Sequence, residues 1–166
     1  MNLRGGTVLI VGIGNELLGD EGLGVQVARA LRAALPALPP GVEVLEAGTS
    51  LLDLLPEMHS YARVILVDAI RGGREPGTVY RVESLAGLAG QCAAAVPVSA
   101  HEWDLVETLR LADSLDLLPR QLSLVGAEPE NMNPGLELSP RLKAAAAAIV
   151  SLLLAEASPA PGCARV

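Results

Sequence analysis

Two short runs, TVLIVG at 7–12 and RVILVDA at 63–69, place Val, Ile and Leu side by side with no alternating polar position. A strand with one wet face alternates. An uninterrupted run of this length reads as a strand covered on both faces, the habit of parallel sheets. After the first run, Leu23, Val27, Ala30, Leu31 and Ala34 recur at helical spacing, and Pro36, Pro39, Pro40 and Gly41 stop that helix. VEVLEAG at 42–48 predicts a second strand. SLLDLLPEM at 50–58 predicts a helix, opened by Ser50 and Asp53 at capping-box spacing and bent or shortened by Pro56. GTVYRVE at 77–83 is β-branched and reached by a short glycine-rich turn, which favours an antiparallel edge strand.

SAHEWDLVETLRLADSL predicts a helix with a capping box from Ser99 to Glu102, and QLSLVGAE the last strand. SPRLKAAAAAIVSLLLAEA predicts a closing helix with Ser139 as N-cap and Pro140 in its first turn. Strands alternating with helices imply a three-layer α/β/α fold. Its sheet is expected to be mostly parallel and twisted, of about five strands, one of them an antiparallel edge strand. Residues 1–157 are expected to form this single domain and 158–166 a disordered tail.

Composition narrows the class of partner. The chain is 51% hydrophobic with no Phe and few other aromatics, Trp103, Tyr61 and Tyr80. The core is therefore aliphatic and offers no platform for stacking bases. A net charge of −7 argues against nucleic acid and anionic membrane, and for a cationic or metal-bearing partner. Cys92 and Cys163 stand far apart, without the pattern of a disulfide framework. No secretory signal is evident in MNLRGG, and AAAAAIVSLLLA is too short and Ala-rich to span a bilayer. A cytoplasmic protein without membrane insertion is expected.

In an open parallel sheet, ligands bind beyond the carboxyl ends of the strands. Asp20 and Glu21 follow the first strand, Glu46 ends the second and Asp68 the third. Ser99 and His101 open the helix before the last strand, which runs out into GAEPEN with Glu128 and Glu130. Like charges gathered at one rim oppose folding unless something positive neutralises them. A pyrophosphate fits badly. Gly12-Ile13-Gly14 begins a dinucleotide fingerprint, but its third glycine falls at Leu17 and no Lys or Arg lies in the loop. A phospho-accepting receiver domain shares the acid pair and the strand-three Asp, yet lacks the Lys expected after the last strand.

A divalent metal fits best. The carboxylates of Glu21 and Asp68 with the imidazole of His101 make an oxygen–nitrogen donor set that suits nickel or zinc and leaves open positions. Plainer roles exist for each. Glu21 complements a helix N-terminus for about 0.3–1 kcal/mol, Asp20 forms a turn, and His101 is a polar residue of a capping turn. Asp68 is the hardest to dismiss, because a carboxylate that ends a buried strand needs a partner or a role. His59 has no companion ligands and is set aside.

With these residues in view, the chain resembles the hydrogenase maturation proteases. The motifs are GIGNELLGDEGLGVQVARAL, VILVDAI, SAHEWDLVETL and GAEPENMNPGLELSP, in order, and the likeness runs from Val8 to about Leu154. The resemblance implies an endopeptidase that removes a short C-terminal extension from the nickel-loaded precursor of a nickel–iron hydrogenase large subunit. It implies Glu21, Asp68 and His101 as the metal-binding positions, with nickel brought by the substrate and zinc or cadmium able to substitute in the free site.

On this reading the turn is glycine-rich so that a partner's backbone can approach closely, and acidic because that partner carries a cation. Nickel then either takes part in hydrolysis, with Asp20, Asp68 or Glu21 handling protons, or only positions the substrate. No Ser-His-Asp or Cys-His arrangement is evident. A monomer is expected. The alternatives are a nickel-binding chaperone without cleavage and a degenerate receiver domain. Glu46 stands where the family commonly has Asp, and GTSLLDLLPEM lacks a further glycine common there; both bear on the choice of hydrogenase.

Overall fold

The structure, a computed structural model, describes residues 4–34, 38–83 and 100–157, except for the side chains of 4–7 and 100–104. In chain order the elements are β1 (Arg4–Ile13), α1 (Leu23–Ala33), β2 (Val42–Gly48), α2 (Leu55–Met58) and β3 (Tyr61–Ala69). They are followed by β4 (Val79–Val82), α3 (Ala100–Ser114), β5 (Gln121–Ala127) and α4 (Pro140–Ala157). The strands lie side by side as β2-β1-β3-β5-β4. β1 pairs in parallel with β2 and β3, and β3 with β5, whereas β4 runs antiparallel along β5 at the edge.

The uninterrupted apolar runs are explained by two cores. Leu9, Val11, Ile13, Val64, Leu66 and Leu124 face Leu55 and Met58 of α2 and Leu105, Leu109 and Ala112 of α3. The alternate positions Ile10, Ile65, Val67 and Val125 face Leu23, Val27 and Leu31 of α1 and Leu142, Ala145, Ile149 and Leu153 of α4. Three layers result, with β1 and β3 sealed on both sides. Among the described residues, no helix is long and apolar enough to cross a membrane.

Two local expectations are corrected. β1 starts at Arg4, ahead of the apolar run, because Arg4 pairs with Tyr61 across a register irregularity that spans Gly5 and Gly6. The helix expected at 50–58 shrinks to a 3-10 turn at Leu52–Leu54 and the single turn of α2. Ser50 Oγ donates to Asp53 Oδ2 at 2.9 Å and caps no backbone N–H. Pro56 sits in the first turn of α2, where a missing N–H costs nothing. The capping box at Ser99, along with Cys92, Cys163 and the tail, lies outside the described residues.

Candidate functional site: an acidic edge at the sheet's switch point

The chain leaves β1 for β2 on one side and returns to β3 on the other, so the carboxyl ends of β1 and β3 flank a topological switch point. Gly14 follows β1 with φ +134°. A Cβ there would lie 1.9 Å from the Glu21 carbonyl oxygen and 3.6 Å from Asp68 Oδ1. The turn that carries Glu21 and the carboxylate of Asp68 thus both border Gly14. Glu21 is 5% exposed and Asp68 2%.

The glycines of this turn are spent inside the molecule, which corrects the expectation that they make room for a partner. A Cβ on Gly24, at the start of α1, would sit 2.1 Å from the carbonyl oxygen of Val67 and 2.2 Å from that of Ile13. Helix α1 therefore rests directly on the backbones of β1 and β3, and this contact sets the height of the Glu21 turn over the sheet.

The rim acids divide into those the protein satisfies itself and those it does not. Glu46 takes Arg29 at 3.0 Å and Arg32 at 3.4 Å. Glu128, buried, accepts the N–H groups of Gly72 and Arg74 at 2.8 and 3.2 Å and the Tyr80 hydroxyl. Burial, then the Glu128 carboxylate, hold the Tyr80 phenol above its ordinary pKa.

Asp20 is fully buried, and both its oxygens are occupied. Oδ2 accepts the N–H groups of Glu130 and Asn131, each at 2.8 Å, and Ser139 Oγ at 2.9 Å. Oδ1 accepts the Ser139 N–H at 2.6 Å. This is the geometry of a clamp that ties the Gly19–Gly22 turn to the segment between β5 and α4. The same segment is stitched to the loop by Gly19 N–H to Gly135 O at 2.7 Å and Asp20 N–H to Asn131 O at 2.9 Å.

Glu21 and Asp68 flank the switch point, and the two differ. Among the described residues the Glu21 carboxylate has no hydrogen-bond or ion-pair partner, while Asp68 Oδ1 accepts the N–H of Ala69 at 2.8 Å. His101 lies in the first turn of α3, and its side chain is outside the described residues. Among the described residues, no three His, Cys, Asp or Glu side chains gather as a metal-holding group. His59 precedes β3, at the opposite end of the strand from Asp68.

Sequence reasoning recognised Ser139 only as an N-cap. Its hydroxyl does accept the Leu142 N–H, at 3.4 Å, but its shorter bonds go to Asp20. Glu128 was legible as a rim acid and not as a brace, since Tyr80 lies 48 residues away.

Fold and site together define a doubly wound α/β domain with buried carboxylates at its switch point. A family model described as hydrogenase maturation protease matches residues 25–156, a span that begins just after the Glu21 turn. The hydrogenase 2 maturation protease of Escherichia coli (strain K12) is 34% identical over 140 residues, 82% of each chain. The hydrogenase expression/formation protein HupD of Rhizobium leguminosarum bv. viciae is 36% identical over 122 residues, 74% of this chain and 59% of that one. Among solved structures, the hydrogenase-maturating endopeptidase HybD from E. coli aligns with a TM-score of 0.76 at 30% identity, covering 90% of this chain and 91% of that chain. The [NiFe] hydrogenase maturation protease HybD from Thermococcus kodakarensis aligns at 0.72 and 27% identity, covering 92% and 99%. The chain belongs to the hydrogenase maturation protease family and is, like its relatives, a hydrolase of the endopeptidase class.

Proposed function

We propose that the protein removes a C-terminal extension from the nickel-loaded precursor of a nickel–iron hydrogenase large subunit, with Glu21, Asp68 and His101 receiving the substrate's nickel. The observation that carries this reading is the division of the rim acids. Asp20, Glu46 and Glu128 are satisfied from within, while Glu21 is a buried carboxylate with no partner among the described residues, open to a cation from outside. Two carboxylates and an imidazole form a donor set that a borderline divalent ion accepts.

Nickel carried in by the precursor would supply the positive charge that the Glu21 carboxylate lacks among the described residues. The chain's own residues do the rest. The clamp at Asp20 and the contact at Gly24 fix the height of the Glu21 turn, and the Ala69 N–H orients the Asp68 carboxylate. A precursor held by its metal has its scissile bond brought to a fixed place on the edge, so orientation supplies much of the rate. Asp68 is the carboxylate we assign to proton handling, and Asp20 serves by position.

The test is mass spectrometry of nickel-loaded and nickel-free precursor after incubation with the protein. Loss of a C-terminal peptide only from the loaded form is expected. Glu21→Gln, Asp68→Asn and His101→Ala are each expected to cut processing sharply while circular dichroism stays unchanged. Full activity in all three would refute the metal-receiving site. Binding of loaded precursor without cleavage would favour a nickel-binding chaperone.

A further inference from the structure

The acid-rich edge also holds a cation that the mechanism above does not use. Arg71 follows Asp68 by three residues and is partly buried. Its Nε and Nη2 both lie within 3.0 Å of Met132 Sδ. A thioether is a weak, neutral acceptor for a group with five N–H donors. Among the described residues, Arg71 has no carboxylate partner, although Glu130 stands exposed two residues before Met132. By contrast, Arg29 and Arg32 hold Glu46, and Arg63 holds Glu156.

The place of Arg71 is fixed from both sides. The N–H of Ile70 bonds to Ala127 O at 3.0 Å, which holds the exit of β3 against β5. Met132 belongs to the segment whose Asn131 N–H is gripped by Asp20, beside Glu21. The guanidinium therefore lies on the same edge as Glu21 and Asp68, packed on a sulfur, with its remaining donors available. A planar fork in this state matches a carboxylate.

We propose that Arg71 binds a carboxylate of the precursor peptide as the peptide crosses this edge, and so helps to select and orient it. The inference rests on the function proposed above. On an edge lined with acids, a cation that no acid of the protein holds marks the place where an acidic group of the peptide is accepted, so it gives register as well as affinity. The carboxylate belongs either to an Asp or Glu side chain or to the peptide's C-terminus, and the experiment separates these.

Steady-state processing of loaded precursor is compared for wild type, Arg71→Met and Arg71→Lys. The precursors carry single Asp→Asn or Glu→Gln changes, or a Gly-Ser tail that moves the terminal carboxylate. Arg71→Met is expected to raise KM by about 10–100-fold, with kcat within about threefold, the scale of one charged hydrogen-bonded contact. Arg71→Lys should recover part of the loss. One precursor change should reproduce the loss with wild type and add nothing further with Arg71→Met; a side-chain change identifies an acidic residue, and the tail identifies the terminus. An unchanged KM for Arg71→Met, or losses that multiply for every precursor change, would overturn the assignment. Failure of wild type to cleave any loaded precursor would instead overturn the functional reading beneath it.

Discussion

Asp20→Asn is the most discriminating perturbation of the clamp, because it keeps shape and removes charge. In the wild type Oδ2 takes three donors and Oδ1 takes the Ser139 N–H. The asparagine oxygen keeps the three donors at Oδ2, but each bond loses charge assistance, about 1 kcal/mol apiece. The amide nitrogen then faces the Ser139 N–H, and a buried donor left unpaired costs about 1–3 kcal/mol more. A destabilisation of roughly 4–6 kcal/mol follows, a large share of the ~5–15 kcal/mol that holds a domain. For a chain of this size the midpoint should fall by roughly 8–24 °C. The assay is urea and thermal unfolding, with hydrogen exchange at the amides of Glu130, Asn131 and Ser139. Turnover measured well below the new midpoint should survive in proportion to the folded fraction. An Asp20→Asn protein that melts with wild type yet has lost all turnover would refute the clamp and make Asp20 the proton-handling group.

Gly24→Ala places a methyl group against two backbone carbonyls that cannot rotate away, so a loss of at least ~3 kcal/mol is expected; solubility and melting temperature check it. Tyr80 titrates above its ordinary range when folded, so its contribution is complete below about pH 10. That contribution is lost as pH rises further, because the unfolded phenol ionises first. Melting temperatures from pH 8 to 11 should fall less steeply in Tyr80→Phe than in wild type. Burial raises the Glu156 pKa, but Arg81 and Arg63 together outweigh it and hold the carboxyl below its ordinary value. Its contribution is thus present above about pH 4.5 and lost toward acid, and Glu156→Gln should flatten the acid limb of the stability profile.

The sheet was legible because its information is local. β2 is bounded by Gly41 and Gly48 and is found where expected, as is the closing helix from Pro140. β3 shows itself by covering both faces, and β4 by the short connection that makes it an antiparallel edge. Where the reading slipped, a distant partner decided. Gly5 and Gly6 argue locally against a strand, and pairing at Tyr61 overrides them. At 50–58 the apolar content is helical, but the α-helix closes only over Leu55–Met58, with Pro56 in its first turn and Leu55 and Met58 buried.

The acids of the edge were equally legible as a group and illegible as individuals. Every one stands where strand ends must bring it, so sequence could gather them. Which are consumed depends on donors 110 and 119 residues along the chain for Asp20. For Glu128 it depends on a tyrosine on another strand. Asp20 and Glu21 are neighbours with the same chemistry, and the 3-10 turn Gly19–Gly22 sends them to different work. One carboxylate faces the 130–139 segment and is saturated; the other stays buried without a partner among the described residues. The two roles depend on each other. A buried carboxylate awaiting a cation lifts the free energy of its turn, and that turn holds its place because the adjacent carboxylate anchors it with four hydrogen bonds. An acidic edge of this kind can stand ready before its cation arrives only if part of its own acidity is spent on holding it still.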